Sequence, residues 1–189
     1  MKKKQIATFC LAFALTVLPG LQSAQANEVD KGGIPETELA ATFKTAAWGS
    51  PIWDNEEMIK AYNEDAKMLL VDTRPDSFYS KGTLLNAIML PYDKSGAADN
   101  GLTEESLAAA ITKAGMSKDS AKIVFFCQGP KCHRSYNASF VAATKWGYKP
   151  ENVVWFRDGY PNLVKQIQDD AKLKRKASKY LNEEAMKSL

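Results

Sequence analysis

Histidine occurs once in the 189 residues, at position 133, and cysteine three times, at positions 10, 127 and 132. So few cysteines exclude a scaffold held together by disulfides, and the fold must rest on its core. Zinc is unsupported too. Cys127, Cys132 and His133 offer three ligands at poor spacing, and no further Cys or His lies near them to complete a tetrahedral site. No metal and no other cofactor is expected. Long apolar runs are also scarce: the one continuous run, "IATFCLAFALTVL" at 6–18, is too short to span a bilayer comfortably.

The surroundings of that run have the layout of a secretory signal. Lys2, Lys3 and Lys4 precede it, and "PGLQSAQA", with a small-x-small site at Ala24 and Ala26, follows it. Cleavage is expected before Asn27, removing residues 1–26 and Cys10 with them and delivering the product to the periplasm. Removal takes three of the 25 basic residues and none of the 22 acidic ones, so the mature chain carries 22 of each. With no net charge there is no general electrostatic case for nucleic acid or an anionic membrane as partner. No later run is long enough to insert in a membrane, and residues 27–189 suit one domain with its own core.

Along the mature chain, residues 27–33 are polar and glycine-containing and read as a mobile leader segment. Leu39, Phe43 and Trp48 have helix-like spacing over 35–49. "DNEEMIKAYNEDA" starts a clearer helix, with Asp54 and Glu57 at capping-box spacing. Short apolar runs at 68–71, 86–91, 122–126 and 152–156 predict strands. Between and after them lie a helical turn at "DSFYSKG", helices over 103–115 and 135–146, a turn at "RDGYP" and a final helix. The last twenty residues are charged and read as a solvated helix or tail. Strands that are continuous apolar runs and alternate with helices call for a parallel sheet covered on both faces.

The chemistry gathers at "KIVFFCQGPKCHRSYNASF", 122–140. Cys127 ends the most strongly β-forming run, and "RSYNASF" opens the next helix, so "QGPKCH" must curl over the carboxyl edge of the sheet, where ligands of such sheets collect. A curled loop before a helix N-terminus turns backbone N–H groups inward and favours anions. There Lys131, Arg134 and His133 would favour a thiolate at Cys127. Gly129 permits the sharp turn. Each residue has a plainer alternative. Cys127 could be an inert buried thiol. Cys132 is either a second reactive or resolving thiol or half of a disulfide with Cys127, and closing so small a ring stabilises by only about 2 kcal/mol. Lys131 and Arg134 either attract an oxyanionic donor or are surface charges; His133 either serves the site or faces solvent. Ser135 reads as a helix N-cap with substrate contact as a further role. Asp72 and Arg74 read as structural, Arg74 in an ion pair.

Three segments together resemble the rhodanese-like family: "LLVDTRPDSFYSKGTLLNAIMLP", with Asp72, Arg74, Gly82, Asn86, Ala87 and Pro91 in order, "IVFFCQGPKCHRSYNA", and "GYKPENVVWFRDGYPNL". The resemblance spans about 50–168. It divides the mature chain into a leader and helix at 27–49, the domain at 50–168 and the charged segment at 169–189. It implies an α/β/α fold around a roughly five-stranded parallel sheet. It also implies a sulfurtransferase in which Cys127 takes a sulfane sulfur from a small anionic donor such as thiosulfate or polysulfide, becomes a persulfide, and passes the sulfur to cyanide or a thiol, a protein thiol included. Gln128, Gly129, Lys131, His133, Arg134 and Ser135 would then bind substrate, and Cys127 and Cys132 would be the catalytic pair. The chain departs from the family pattern in three places. Six residues rather than four separate Cys127 from Arg134, Cys132 lies inside the enlarged loop, and Thr83 and the pair Asp158–Gly159 replace a histidine and two glycines. Rival readings are a thiol–disulfide redox protein or sensor using Cys127 and Cys132, a non-catalytic binding module, and a phosphatase of the same fold, which the six-residue gap and Pro130 fit poorly.

Overall fold

A computed structural model describes residues 27–189; the expected signal peptide, with Cys10, lies outside the described residues. Five strands form the centre: β1 (Ile52–Trp53), β2 (Leu69–Asp72), β3 (Ile88–Met89), β4 (Ile123–Phe126) and β5 (Val153–Phe156). They pair in the order β1-β5-β4-β2-β3, every pair parallel. The eight α-helices among the described residues are α1 (Glu36–Leu39), α2 (Asn55–Asn63), α3 (Asp76–Tyr79), α4 (Glu104–Lys113), α5 (His133–Thr144), α6 (Gly159–Asp169), α7 (Ala171–Lys174) and α8 (Glu183–Met186). This is the expected α/β/α arrangement.

Every residue of β2, β4 and β5 is buried, as continuous apolar strands in a doubly covered sheet require. Their alternation sorts the core. Leu70, Val124, Phe126, Val154 and Phe156 pack with Met58 of α2 and Leu163 and Ile167 of α6. Leu69, Val71, Ile123, Phe125 and Val153 pack with Leu107 and Ile111 of α4 and Ala138 and Val141 of α5. Each Val, Leu, Ile, Phe or Met among them, fully buried, contributes about 1.5–3 kcal/mol. The predicted helix starts hold at both caps. The Asp54 N–H donates to Glu57 Oε2 at 2.9 Å. Thr103 Oγ1 accepts from the Ser106 N–H at 3.1 Å while the Thr103 N–H donates to Ser106 Oγ at 2.8 Å.

Four expectations need correction. The helix foreseen over 35–49 stops after Leu39, because the backbone opens at Ala40 to bring the carbonyls of Glu38, Ala40 and Phe43 onto the buried Arg157 guanidinium. "RDGYP" is not only a turn: Gly159, Tyr160 and Pro161 form the first turn of α6, where proline's missing N–H costs nothing. The C-terminal segment, read as a solvated helix or tail, does form helices α7 and α8 but is not solvated throughout, since Ala177, Tyr180, Leu181 and Ala185 are buried in the core and the Leu85 N–H donates to the Tyr180 carbonyl at 2.8 Å. Its charges face outward and hide an apolar side that only packing reveals.

The leader segment, read as mobile, is a fixed strap. The Val29 N–H donates to Asn137 Oδ1 and Asn137 Nδ2 donates to the Val29 carbonyl, both at 2.8 Å, so the buried amide imitates a strand partner. Glu28 joins Tyr92 and Lys145, and Asp30 pairs with Lys94 at 2.7 Å. Strand β1, which no sequence signal announced, is two residues long and too short to show a period.

Candidate active site

Register sets the site. Asp72, Phe126 and Phe156 lie level across the sheet, so Thr73, Cys127 and Arg157 leave its carboxyl edge side by side. Each is anchored. Thr73 donates to the Phe126 carbonyl from both its N–H, at 3.0 Å, and its hydroxyl, at 2.8 Å. Arg74 grips the Asp72 carboxylate and donates to the Gly82 carbonyl at 2.8 Å, the buried ion pair expected of it. Arg157 donates to Asp54 Oδ1 at 2.8 Å and to the three carbonyls named above. These bonds make the sheet edge a rigid base for the cysteine loop.

Cys127 continues the alternation of Ile123 and Phe125 toward α5, and there it is joined to Cys132 in a disulfide, with the Cα atoms 6.1 Å apart. Cys132 is the N-cap residue of α5. Both sulfurs therefore lie at the positive end of a twelve-residue helix. The chain between them turns tightly: Gly129 adopts φ +140°, and the Cys132 N–H donates to the Gly129 carbonyl at 3.0 Å. From the other side α6 clamps the loop. The Tyr160 N–H donates to the Cys127 carbonyl at 2.9 Å, and Gly159, at φ +69°, comes so close that a Cβ there would lie 2.5 Å from that carbonyl oxygen and 2.7 Å from the Gly129 nitrogen. Only glycine satisfies both the conformation and the approach.

A pocket of about 800 Å³ opens over the loop, lined by Cys127, Gln128, Gly129, Lys131, Cys132, His133 and Arg134. Cys127 itself is 1% exposed, whereas Cys132 is only partly buried. The far wall comes from residues that the sequence did not assign to the site: Pro75 and Phe78 at α3, Asp93, Asn162 of α6, and Lys31 of the strap. Asp93 follows β3 at the same carboxyl edge, so topology could have found it. Lys31 carries no sequence signal at all. Phe78 is 44% exposed and gives this wall an apolar face.

The charges differ from the simple picture of free cations. Arg134 Nη2 lies 3.1 Å from Asp93, Nη1 lies 3.7 Å from Asp99, and Nη1 donates to the Tyr92 carbonyl at 3.1 Å. Its charge is spent on holding the loop after β3. Ser95, through its hydroxyl and then its N–H, keeps the Asp93 carboxyl below its ordinary range, and Arg134 adds to this. His133 Nε2 is 3.9 Å from Asp93, but burial outweighs that carboxylate and holds the imidazole below its ordinary value. Among the described residues, Lys31 and Lys131 line the pocket without an ion pair. Ser135 is not the N-cap. It is the third residue of α5, fully buried, outside the pocket lining, and its hydroxyl has no partner among the described residues.

Comparison with known proteins adds the lineage. The model of the rhodanese-like domain family matches residues 54–166. Among solved structures the chain is similar to an As-Sb reductase from Leishmania major, at 22% identity over 64% of this chain and 80% of that one, with a TM-score of 0.47. It is similar to a rhodanese-like domain from Anabaena, at 19% identity over 62% and 75% of the two chains, with a TM-score of 0.41. It is also similar to a 3-mercaptopyruvate sulfotransferase from Escherichia coli, at 17% identity over 58% of this chain and 40% of that one, with a TM-score of 0.40. No curated protein matches the chain. With the family model aligned over more than half of its length, the chain belongs to the rhodanese-like domain family.

Proposed function

We propose that this protein is an exported, periplasmic sulfurtransferase that carries a sulfane sulfur as a persulfide on Cys127. One observation carries the reading: Cys127 stands at the carboxyl end of the central strand, at the N-terminus of α5, on a pocket with two lysines that have no ion pair among the described residues. In the reduced protein the Cys127 thiolate attacks the outer sulfur of a small anionic donor such as thiosulfate. The donor's S–S bond breaks, sulfite departs with the bonding pair, and the persulfide remains in the loop. A second nucleophile, cyanide or a thiol that includes a protein thiol, then removes the outer sulfur and restores the Cys127 thiolate. Gln128 and Gly129 contribute the backbone around the persulfide; Lys131 supplies positive charge, and Arg134 acts by holding the loop after β3. Burial disfavours the charged form of His133, which lines the pocket beside the loop.

The intact mass of the reduced protein after exposure to thiosulfate tests this. One added sulfur that maps to Cys127 and disappears in Cys127→Ser is the expected result; no added sulfur in the reduced wild type would refute it.

A second reading, a thiol–disulfide redox protein, is favoured by the Cys127–Cys132 bond itself. It predicts reversible exchange of that bond with a dithiol and no sulfur uptake from thiosulfate in the reduced state.

A further inference from the structure

The disulfide need not be only a resting state that must be reduced before sulfur chemistry starts. Resting on the reading of the cysteine loop as a persulfide carrier, we propose a second route of sulfur entry. Hydrosulfide opens the Cys127–Cys132 bond by attacking Cys132, and the sulfur becomes a persulfide on Cys132.

Access selects the sulfur. An incoming nucleophile must approach along the S–S axis from the side opposite the leaving sulfur. Cys127 is 1% exposed, whereas Cys132, which lines the same pocket, is only partly buried. Leaving-group strength alone would favour the opposite choice, because an N-cap position steadies a thiolate at Cys132. The less accessible sulfur is attacked more slowly, however good its leaving partner. The loss is also small, since the disulfide holds Cys127 against the same helix terminus, and the departing thiolate at Cys127 benefits from that field.

The electron count closes without a further reagent. Hydrosulfide donates a pair to Sγ of Cys132, and the S–S pair departs on Sγ of Cys127. The products are a Cys132 persulfide, which keeps the proton of hydrosulfide, and a Cys127 thiolate. The disulfide is reduced and the incoming sulfur is oxidised from sulfide to the sulfane level. Thiosulfate brings sulfur already at that level and needs a reduced cysteine; hydrosulfide needs the oxidised pair. The two states of one loop thus take two classes of sulfur compound.

The pocket suits an anion of this kind. Lys31 and Lys131 line it without carboxylate partners among the described residues, and Arg134 is already occupied by Asp93 and Asp99. A small monoanion is drawn by the lysines and needs no bidentate guanidinium.

The test uses the oxidised wild-type protein, sodium hydrosulfide free of polysulfide, an early quench with an alkylating reagent and trypsin. Cleavage after Lys131 separates "IVFFCQGPK" from "CHR", so each cysteine is assigned by its own peptide. The expected result is one added sulfur on the Cys132 peptide and an alkylated Cys127 without added sulfur. Added sulfur on the Cys127 peptide at the earliest quench, or an unopened disulfide, would overturn the proposal. Cys132→Ser, which cannot form the disulfide, is expected to take no sulfur from hydrosulfide; uptake from hydrosulfide in that variant would also overturn the proposal. The two readings separate cleanly. Thiosulfate with the reduced protein tests persulfide formation on Cys127, and hydrosulfide with the oxidised protein tests the route through Cys132.

Discussion

The Arg134 guanidinium lies 3.1 Å from the Asp93 carboxylate, so the arginine that follows the cysteine loop is neutralised by the opposite wall of the pocket. Attraction of an anionic sulfur donor then falls to Lys31 and Lys131, and Asp93 opposes it. In a thiosulfate assay of the reduced protein, Lys31→Ala is expected to raise KM about threefold at low salt, and Asp93→Asn to lower it by a similar factor. Both effects should shrink in high salt, with kcat little changed. A large loss of kcat in Lys31→Ala would show that the strap does more than supply charge.

Gly159 has no room for a side chain, because its Cβ would fall 2.5 Å from the Cys127 carbonyl oxygen. Gly159→Ala is expected to destabilise the protein by about 2 kcal/mol, through the φ of +69° and the forced shift of the loop. Denaturant unfolding reads the loss. The same variant should expose Cys127, so the disulfide is reduced faster by a small thiol than in wild type. Unchanged stability and reduction rate would mean that α6 does not clamp the loop.

Asp54 sits beside the buried Arg157 and within reach of Lys44. Burial raises its carboxyl, but hydrogen bonds and charge from Arg157 and Lys44 outweigh burial and hold it below its ordinary 3.8. A carboxyl lowered on folding contributes stability above its unfolded value and loses it as pH falls through the folded one. Asp54→Asn is therefore expected to cost about 3 kcal/mol at neutral pH, with the gap to wild type closing below pH 3.8. Asp158 runs the other way. Burial raises its carboxyl above 3.8, so it favours the folded state in acid and loses that contribution as pH rises through the raised value. Urea unfolding of the wild type and Asp54→Asn across acid pH reads the Asp54 contribution.

The strap hangs on Asn137, whose buried side chain is fully matched to Val29. Asn137→Ala removes a donor and an acceptor at once and is expected to cost about 1–3 kcal/mol. Hydrogen exchange at 27–33 should rise well above wild type, and the KM shift seen with Lys31→Ala should appear with it. Continued protection of those amides would show that Glu28 and Asp30 hold the segment without Asn137.

Much was set locally by the sequence. The β-branched and aromatic runs at 122–126 and 152–156, the caps at Asp54 and Thr103, and the placing of Cys127 after the central strand depend on neighbours a few residues apart. Such signals survive in any fold that buries those runs, and the alternation of strands and helices then leaves a parallel sheet as the economical arrangement. The partners of the charged groups were settled only in three dimensions. Arg134 meets Asp93, Arg157 meets Asp54, and Asn137 meets Val29 across long stretches of chain, so no spacing in the sequence records them. The same holds for the C-terminal residues: Tyr180 and Leu181 lie among charges in the sequence, and their burial follows from an apolar face that exists only once Leu84 and Tyr62 are beside it. Residue type decided which chemistry was available; the distances between remote residues decided which of those groups were free to perform it.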